Sequence, residues 1–395
     1  MNILSGFNTG ELHIIDIIRE TCESKNIEAY IVGGAIRDIL MGYRVNDLDI
    51  CMNENPMVVI KSLCEIESFK YHREFQTASV KFQNGIEIDI IRCRSEIYCK
   101  PGMLPVIVPS GIRDDLYRRD FTINSLAYSL NSNELIDLYG GIYDIQAKTI
   151  RKIHDNSYEE DPTRIFRALR YASRYGFQIK DRPEINECIH SRVLNTISND
   201  RIIREIYLMA FEKNWKRAFC MLDELNVFKL NLDCIGKTNP LADYDDKNVR
   251  ILNLFYSIKD VENRQYFIEN SILNQDIKKV MCNFKDDNGK IEEDLKCTVD
   301  NYSIFLSLKN MNSYCLAYLT WNYRVVYKIY NYIDNLQKCS LCTNGNDIKL
   351  LGINDGKYIG KILKYIMKVK LNTGIEIVLD AGEIENVFKH KNKKF

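Results

Sequence analysis

The chain has 395 residues, 46% of them hydrophobic and 27% charged, with Lys plus Arg and Asp plus Glu balanced at 54 each. That balance excludes overall attraction as the basis of any nucleic-acid contact, which must rest on local patches, and the length allows two to four domains. No stretch comes near the ~18 uninterrupted apolar residues of a membrane span, and the first residues lack a basic region followed by an apolar one, so a cytoplasmic protein is expected.

The 13 cysteines are odd in number and scattered, many inside apolar runs such as those of Cys22, Cys93, Cys220 and Cys282. They read as buried reduced thiols. Cys339 and Cys342 form a CxxC with no second pair at zinc spacing.

In chain order, residues 11–24 read as an amphipathic helix with Leu12, Ile15, Ile17 and Ile18 on one side, followed by a strand over Ala29–Val32. The stretch Ile31 to Ile50, IVGGAIRDILMGYRVNDLDI, then joins a buried strand to a Gly-Gly turn, a short helix opening and a second strand. Gly33 and Gly34 have no Cβ, so backbone can approach a phosphate closely there and present N–H groups to it. Side chains alternate along a strand, so Asp47 and Asp49 project together while Leu48 and Ile50 face inward. Two carboxylates on one face suit divalent cations, which a triphosphate needs during attack at its α-phosphorus. This points to nucleotidyl transfer.

Pro56 starts a helix to about Ile66, and Ala78–Phe82 and Ile86–Ile91 alternate as a hairpin turned at Asn84-Gly85. The second of these strands places Glu87, Asp89 and Ile91 on one face. Residues 97–114 hold three of the seven prolines and two glycines and read as a mobile loop without regular structure. Arg118 and Arg119 open a helix, and guanidinium groups hold phosphate oxygens in bidentate fashion. Leu135–Asp144 reads as a strand entering a second Gly-Gly turn.

The stretch EEDPTRIFRALRYASRYGF, from Glu159, opens with Asp161 as a good N-cap and Pro162 in the first helical turn. Capping does not account for Arg164, Arg167, Arg170 and Arg174, which recur at three- and four-residue spacing as one basic stripe opposite Ile165, Leu169, Ala172 and Phe177. A capped helix follows from Ser198, whose Arg201 and Glu205 are expected to ion-pair with the arginine helix. Residues from about 226 to 338 are helical by pattern, and the acidic Lys285 to Asp300 segment is expected to face away from nucleic acid. Near the end, Gly352, Gly356 and Gly360 precede a helix over Lys361–Lys370 with Ile359, Ile362, Leu363, Ile366 and Met367 against lysines 361, 364 and 368. Lys389, Lys391, Lys393 and Lys394 add to the basic character.

The combination of Gly33, Gly34, Arg37 and Asp38 with Asp47 and Asp49, of Arg94-Ser95-Glu96, of Asp115 to Asn124, and of Glu160, Asp161, Arg164, Arg167 and Arg170 resembles the class II tRNA nucleotidyltransferases and bacterial poly(A) polymerases. The resemblance implies an α+β fold: a polymerase-β-like nucleotidyltransferase head with a small mixed sheet and helices at 1–143, then an all-α neck (144–225), body (226–338) and tail (339–395). It implies Mg²⁺ on Asp47 and Asp49, in a two-metal reaction, with Asp89 rather than Glu87 as the third catalytic carboxylate. Gly33, Gly34, Arg37 and Arg118 would bind nucleotide phosphates, and Asp120 and Asn124 the ribose. Asp161 and Arg164, with Arg167 and Arg170 in the same helix, would select the base. The implied role of the 97–114 loop is switching between nucleotides, although this copy has Lys100 and Arg113 with little basic character between them. Asn344 to Ile348 and the helix after it look like the tail that holds the elbow of tRNA. The implied partners are thus tRNA, CTP and ATP, with no membrane, and the implied activity is addition of C, C and A to the tRNA 3′ end without a nucleic-acid template. A CC-adding or A-adding specialist and a poly(A) polymerase are the alternatives, and an inactive RNA-binding or nucleotide-sensing relative is a remote one.

Overall fold

The computed structural model describes residues 3–232 other than Asn46, residues 247–260, 293–311, 313–320 and 324–380, and isolated positions within 235–291 and 382–387. The chain forms two compact units, Met1–Leu230 and Asn231–Phe395.

In the first unit, helix α1 (Thr9–Ser24) starts at a reciprocal cap in which Asn8 and Glu11 satisfy each other's backbone N–H, and it buries Ile14, Ile15, Ile18 and Cys22. Strand β1 (Ala29–Val32) leads through Gly33 into α2 (Gly34–Leu40), and β2 (Leu48–Met52) into α3 (Pro56–Ile60), capped by Asn55. Strands β3 (Ile66–His72), β4 (Thr77–Phe82) and β5 (Glu87–Arg92) follow, then a separate hairpin of β6 (Arg94–Ile97) and β7 (Val106–Pro109). Helix α4 (Ile112–Tyr117), β8 (Leu126–Ser129) and β9 (Leu135–Asp137) complete the α/β part. The main sheet runs β3-β4-β5-β2-β1-β8-β9. It is mixed: β2 and β5 pair in parallel, and the other neighbours are antiparallel.

The sheet divides the residues of β2 as strand alternation requires. Leu48, Ile50 and Met52 enter the main core with Ile15, Ile18 and Ile36. Cys51 packs on the other face with Tyr30, Val32, Cys93, Leu116 and Ala127. Asp49 shares that second face, two residues along.

Four expectations are corrected. Arg118 and Arg119 do not open a helix: α4 ends at Tyr117 with Arg118 as its C-cap, and both guanidinium groups turn back to Asp115 within that helix. Gly356 and Gly360 do not precede the tail helix but lie within it, because Asp355 caps it and starts it at Gly356. The helix from Pro56 stops at Ile60 and does not reach Ile66, where β3 begins. β3 is an edge strand with most of its side chains in solvent, so it carries little of the apolar alternation that marks a strand. Residues 97–114 are not devoid of regular structure. Arg94–Ile97 pairs with Val106–Pro109, and Pro101 and Pro105 fall in the connection between the two strands. Proline is tolerated at the ends of a two-stranded ribbon, where few ladder hydrogen bonds are at stake.

The rest of the first unit is mainly helical: α5 (Gly141–Gln146), α6 (Ser157–Glu160), α7 (Thr163–Tyr175), α8 (Arg182–His190), α9 (Asn199–Ala210) and α10 (Trp215–Glu224). Helix α7 packs against α9 and α10, and Ile165, Leu169, Ile202, Ile206, Trp215 and Phe219 of the three helices are buried. It ends at Gly176, whose φ of 69° is the left-handed conformation glycine adopts without cost.

The described elements of the second unit are helical and include Lys247–Ser257, Asn301–Leu308, Ser313–Leu319, Gly345–Leu350 and Gly356–Thr373. Ile359, Ile362 and Ile366 of the last helix are buried with Ile348, and lysines 361, 364 and 368 are exposed. In the tail motif, Asn344 and Asp347 cap the Gly345–Leu350 helix reciprocally. Residues 285–290 and Glu292 of the acidic segment, Cys282, and lysines 389, 391, 393 and 394 lie outside the described residues. Among the described residues no helix is long and apolar enough to cross a membrane.

Gly141 opens α5 against backbone: a Cβ there would lie 2.3 Å from the Thr122 carbonyl oxygen. Gly141→Ala is expected to lower unfolding free energy by about 1–3 kcal/mol through overpacking. Gly360→Ala, inside a helix where a Cβ would meet nothing within 4 Å, is expected to stabilise by about 0.5–1 kcal/mol. Urea titrations followed by circular dichroism check both, and equal stability of the two variants would refute the close approach at Gly141.

Candidate active site

Gly33 turns β1 into α2 with φ 69° and ψ −122°. Its own N–H donates to the Leu126 carbonyl at 2.9 Å, so it is not available to a phosphate. What the glycine supplies is room. A Cβ at this position would sit 2.6 Å from Nη1 of Arg119. Arg37, one turn into α2 and 5% exposed, is fixed by Asp38 and by the Asn124 side-chain oxygen, with its guanidinium over Tyr171 and Tyr175.

Asp47 is exposed just before β2, and Asp49 lies half-buried within it. The parallel pairing of β2 and β5 sets Asp49 directly opposite Asp89. Ser79 Oγ donates to Asp89 at 2.6 Å, whereas Glu87 stands opposite Lys81 at the start of β5. Among the described residues no group of three or more His, Cys, Asp or Glu side chains is gathered closely enough to hold a metal ion, so Asp89 does not close a three-carboxylate cluster with Asp47 and Asp49. Burial, with Asp89 and Asp47 adding to it against the pull of Arg119, pushes the Asp49 carboxyl up to about 6. Hard carboxylate oxygens are the donors a magnesium ion takes, and Asp47 and Asp49 bring two of them to one cleft, so they fit the implied metal.

Asp115, fully buried, organises the next layer. One carboxylate oxygen accepts from Arg118 Nε and Nη2 at 2.9 and 2.7 Å, the other from Arg119 Nε and Nη2 at 3.3 and 2.8 Å. Burial alone would raise its pKa, but the two guanidinium groups outweigh it and hold the carboxyl below the usual range. Arg118 also donates to Glu96 at 3.1 Å, and Glu96 in turn accepts from Arg94 and Tyr98.

Helix α7 brings its arginines to the same place, each on a fixed partner. Arg164 donates to Ser157 Oγ and to the Arg118 carbonyl at 2.7 and 2.8 Å. Arg167 pairs with Asp120 at 2.6 Å, and Asn124 donates to the same carboxylate. Burial would lift Asp120, but Arg167 and Asn124 bring it down to about 2. Arg170 lies 3.6 Å from Glu205, and Arg174 pairs with Glu212. Asp161 Oδ1 accepts from the Thr163 N–H and hydroxyl at 3.1 and 2.6 Å and from Arg201 at 2.7 Å. The expected pairing of α9 with the arginine helix is therefore present in Arg201 and Glu205.

One open cleft of ≈ 640 Å³ is lined by Gly33, Gly34, Arg37, Asp47, Asp49, Arg118, Asp120, Asn124, Asp161, Arg164, Arg167 and Arg170. Asp89 lies instead in an adjoining groove that it shares with Asp47, Asp49 and Glu87. Sequence reasoning named Arg119 and Asp38 within motifs without giving either a separate role in the site, and it missed Tyr98 and Tyr171; all four line the cleft. A signal for Arg119 was present: Asp115 stands three and four residues before the arginine pair, the spacing at which helical side chains meet.

Residues 29–151 match the poly A polymerase head domain. An A-adding tRNA nucleotidyltransferase of Aquifex aeolicus is 29% identical over 373 residues, covering 88% of this chain and 45% of its own length. A CC-adding tRNA nucleotidyltransferase of Deinococcus radiodurans is 33% identical over 201 residues, 50% of this chain and 53% of its own. The chain spans about half the length of these curated relatives. Among solved structures, an apo CCA-adding enzyme superposes with a TM-score of 0.80 at 25% identity, covering 98% of this chain and 97% of the other. A tRNA-processing enzyme solved with CTP gives 0.72 at 26% identity, covering 90% and 100%. The resemblance drawn from the motifs, and the mixed-sheet head followed by helices, are borne out.

The raised Asp49 pKa has a signed consequence. Between the ordinary carboxylate value and about 6 the folded protein holds a proton that the unfolded chain releases, so this group's contribution to stability falls as pH rises through that window. Asp49→Asn is expected to remove that component, so the wild type should lose stability relative to the variant from about pH 4 to 6 in metal-free buffer. Parallel stability–pH curves for the two proteins would show that Asp49 titrates normally.

Proposed function

Starting from a head domain of the poly A polymerase type and from relatives named tRNA nucleotidyltransferases, we propose that this chain is a magnesium-dependent nucleotidyltransferase that adds C, C and A to the 3′ end of tRNA from CTP and ATP. The observation that carries the reading is the shared cleft: the Asp47 and Asp49 edge opens onto the same space as Asp161 and Arg164 of α7. Chemistry at a phosphate and selection of a base can thus act on one bound nucleotide.

Asp47 and Asp49 would hold Mg²⁺, which supplies charge neutralisation at the triphosphate and activation of the attacking 3′-hydroxyl. Arg118 directs three N–H donors to Asp115 and Glu96, which fixes its plane, and its remaining donors serve phosphate oxygens. Arg37, equally fixed, assists it. At the other end of the cleft, Asp161 keeps Oδ1 on Thr163 and Arg201, leaving Oδ2 to accept from an exocyclic amino group. Arg164 donates to an unprotonated ring nitrogen. Cytosine offers this pair at N4 and N3, and adenine at N6 and N1. Uracil and guanine offer the reverse, so each leaves buried polar groups opposed.

A specialist that adds only A, or only C and C, is the second reading, favoured by the names of the relatives. A tRNA ending before CCA and one ending in CC, each incubated with CTP, with ATP and with both, separate the three. CTP alone should add two residues, and both nucleotides should complete the end. No incorporation under any condition would end the proposal.

Asp49→Ala is expected to abolish incorporation of CTP and ATP together, since one carboxylate edge serves both. Retention of either activity would refute a shared site. Asp161→Asn keeps an oxygen for the Thr163 N–H but can present an NH₂ toward a carbonyl, so it should reduce kcat/KM for CTP and ATP and relax rejection of UTP. An unchanged preference among the four nucleotides in both Asp161→Asn and Arg164→Ala would remove these residues from base selection.

A further inference from the structure

Three tyrosines lead from the cleft to the surface. Tyr171 lines the cleft, Tyr175 stacks on it at 6.2 Å between ring centroids and 6° between planes, and Tyr43 stacks on Tyr175 at 6.1 Å and 24°. Tyr43 is 53% exposed, although it stands only four residues before Asp47. The row is held at several points. Asp38 accepts from the Tyr175 hydroxyl at 3.3 Å and from Arg37 Nε at 2.8 Å, and its carbonyl accepts the Tyr43 N–H at 2.8 Å. The guanidinium groups of Arg37 and Arg174 lie over Tyr175 at 5.0 and 5.8 Å.

The outer ring is backed by Tyr175, which the Asp38 carboxylate and two guanidinium groups hold in place, so a base stacking on it meets a platform already ordered from beneath and less ordering entropy is lost. Every nucleobase has a π-face, and stacking on an aromatic side chain is tolerant of sequence. We propose that Tyr43 is a stacking platform for an unpaired base of the RNA strand that carries the reacting 3′ end, so that the row guides this strand toward Asp47 and Asp49. The inference rests on the nucleotidyl-transfer reading for the identity of the strand. It does not require any particular nucleotide to be added.

The test uses the full chain and an acceptor-stem minihelix ending before CCA, with 2-aminopurine as its terminal unpaired base. Wild type is expected to quench the 2-aminopurine on binding. Tyr43→Ala should abolish the quench and raise the KM for the RNA by ~10-fold, within the range for loss of one base–aromatic stack, with kcat and the KM for CTP little changed. Tyr43→Phe, which keeps the ring, should restore both readouts. Equal quenching by wild type and Tyr43→Ala, or a rise confined to the KM for CTP, would overturn the platform. A quench that depends on Tyr43 in a protein that incorporates no nucleotide would instead leave the platform standing and refute the transferase reading.

Discussion

A single buried carboxylate sets the geometry of the cleft. Asp115 has no exposed surface, and it meets the cost of burying a charge by giving one oxygen to each of two neighbouring arginines. Their planes are thereby fixed without any ligand. Arg119 is directed to the turn after β1 and lowers the pKa of Asp49, while Arg118 is directed to Glu96 and the space beyond. The glycine at 33 follows from this arrangement more than from phosphate binding, because a side chain there would occupy the position of Arg119 Nη1.

The arginine stripe of α7 obeys the same logic. Read as a pattern it is a free basic face. In the fold Arg164 is held by a hydroxyl and a carbonyl, Arg167 by Asp120 and Arg174 by Glu212. A cleft built in this way presents oriented donors in preference to diffuse positive charge, and orientation is what discriminates one base edge from another. The neutral balance of the whole chain accords with that.

The sequence made legible those features whose cause is local. Strand alternation set Asp49 apart from the core residues Leu48 and Ile50, Asn84-Gly85 marked the β4–β5 hairpin, and arginine periodicity identified α7. Features with distant causes were not legible. The partner of Arg174, Glu212, is 38 residues away. Edge strand β3 lacks an apolar face to reveal it, and the β6–β7 ribbon was hidden by prolines that prove to sit mostly in its connection. The tail motif shows the opposite case: Asn344 and Asp347 are accounted for locally, by capping.

The pairing of Asp49 with Asp89 has a consequence for how the molecule comes to exist. Parallel strands cannot be joined by a tight turn, and between β2 and β5 the chain completes α3, β3 and β4. The closure entropy of that long excursion is lost before the ladder returns anything, which makes this one of the slower contacts to nucleate. The β4–β5 hairpin, being local, can form earlier. The carboxylate edge therefore belongs to a later part of the folding reaction than that hairpin, and a chain halted between the two would possess the hairpin without the surface on which the two acids face each other.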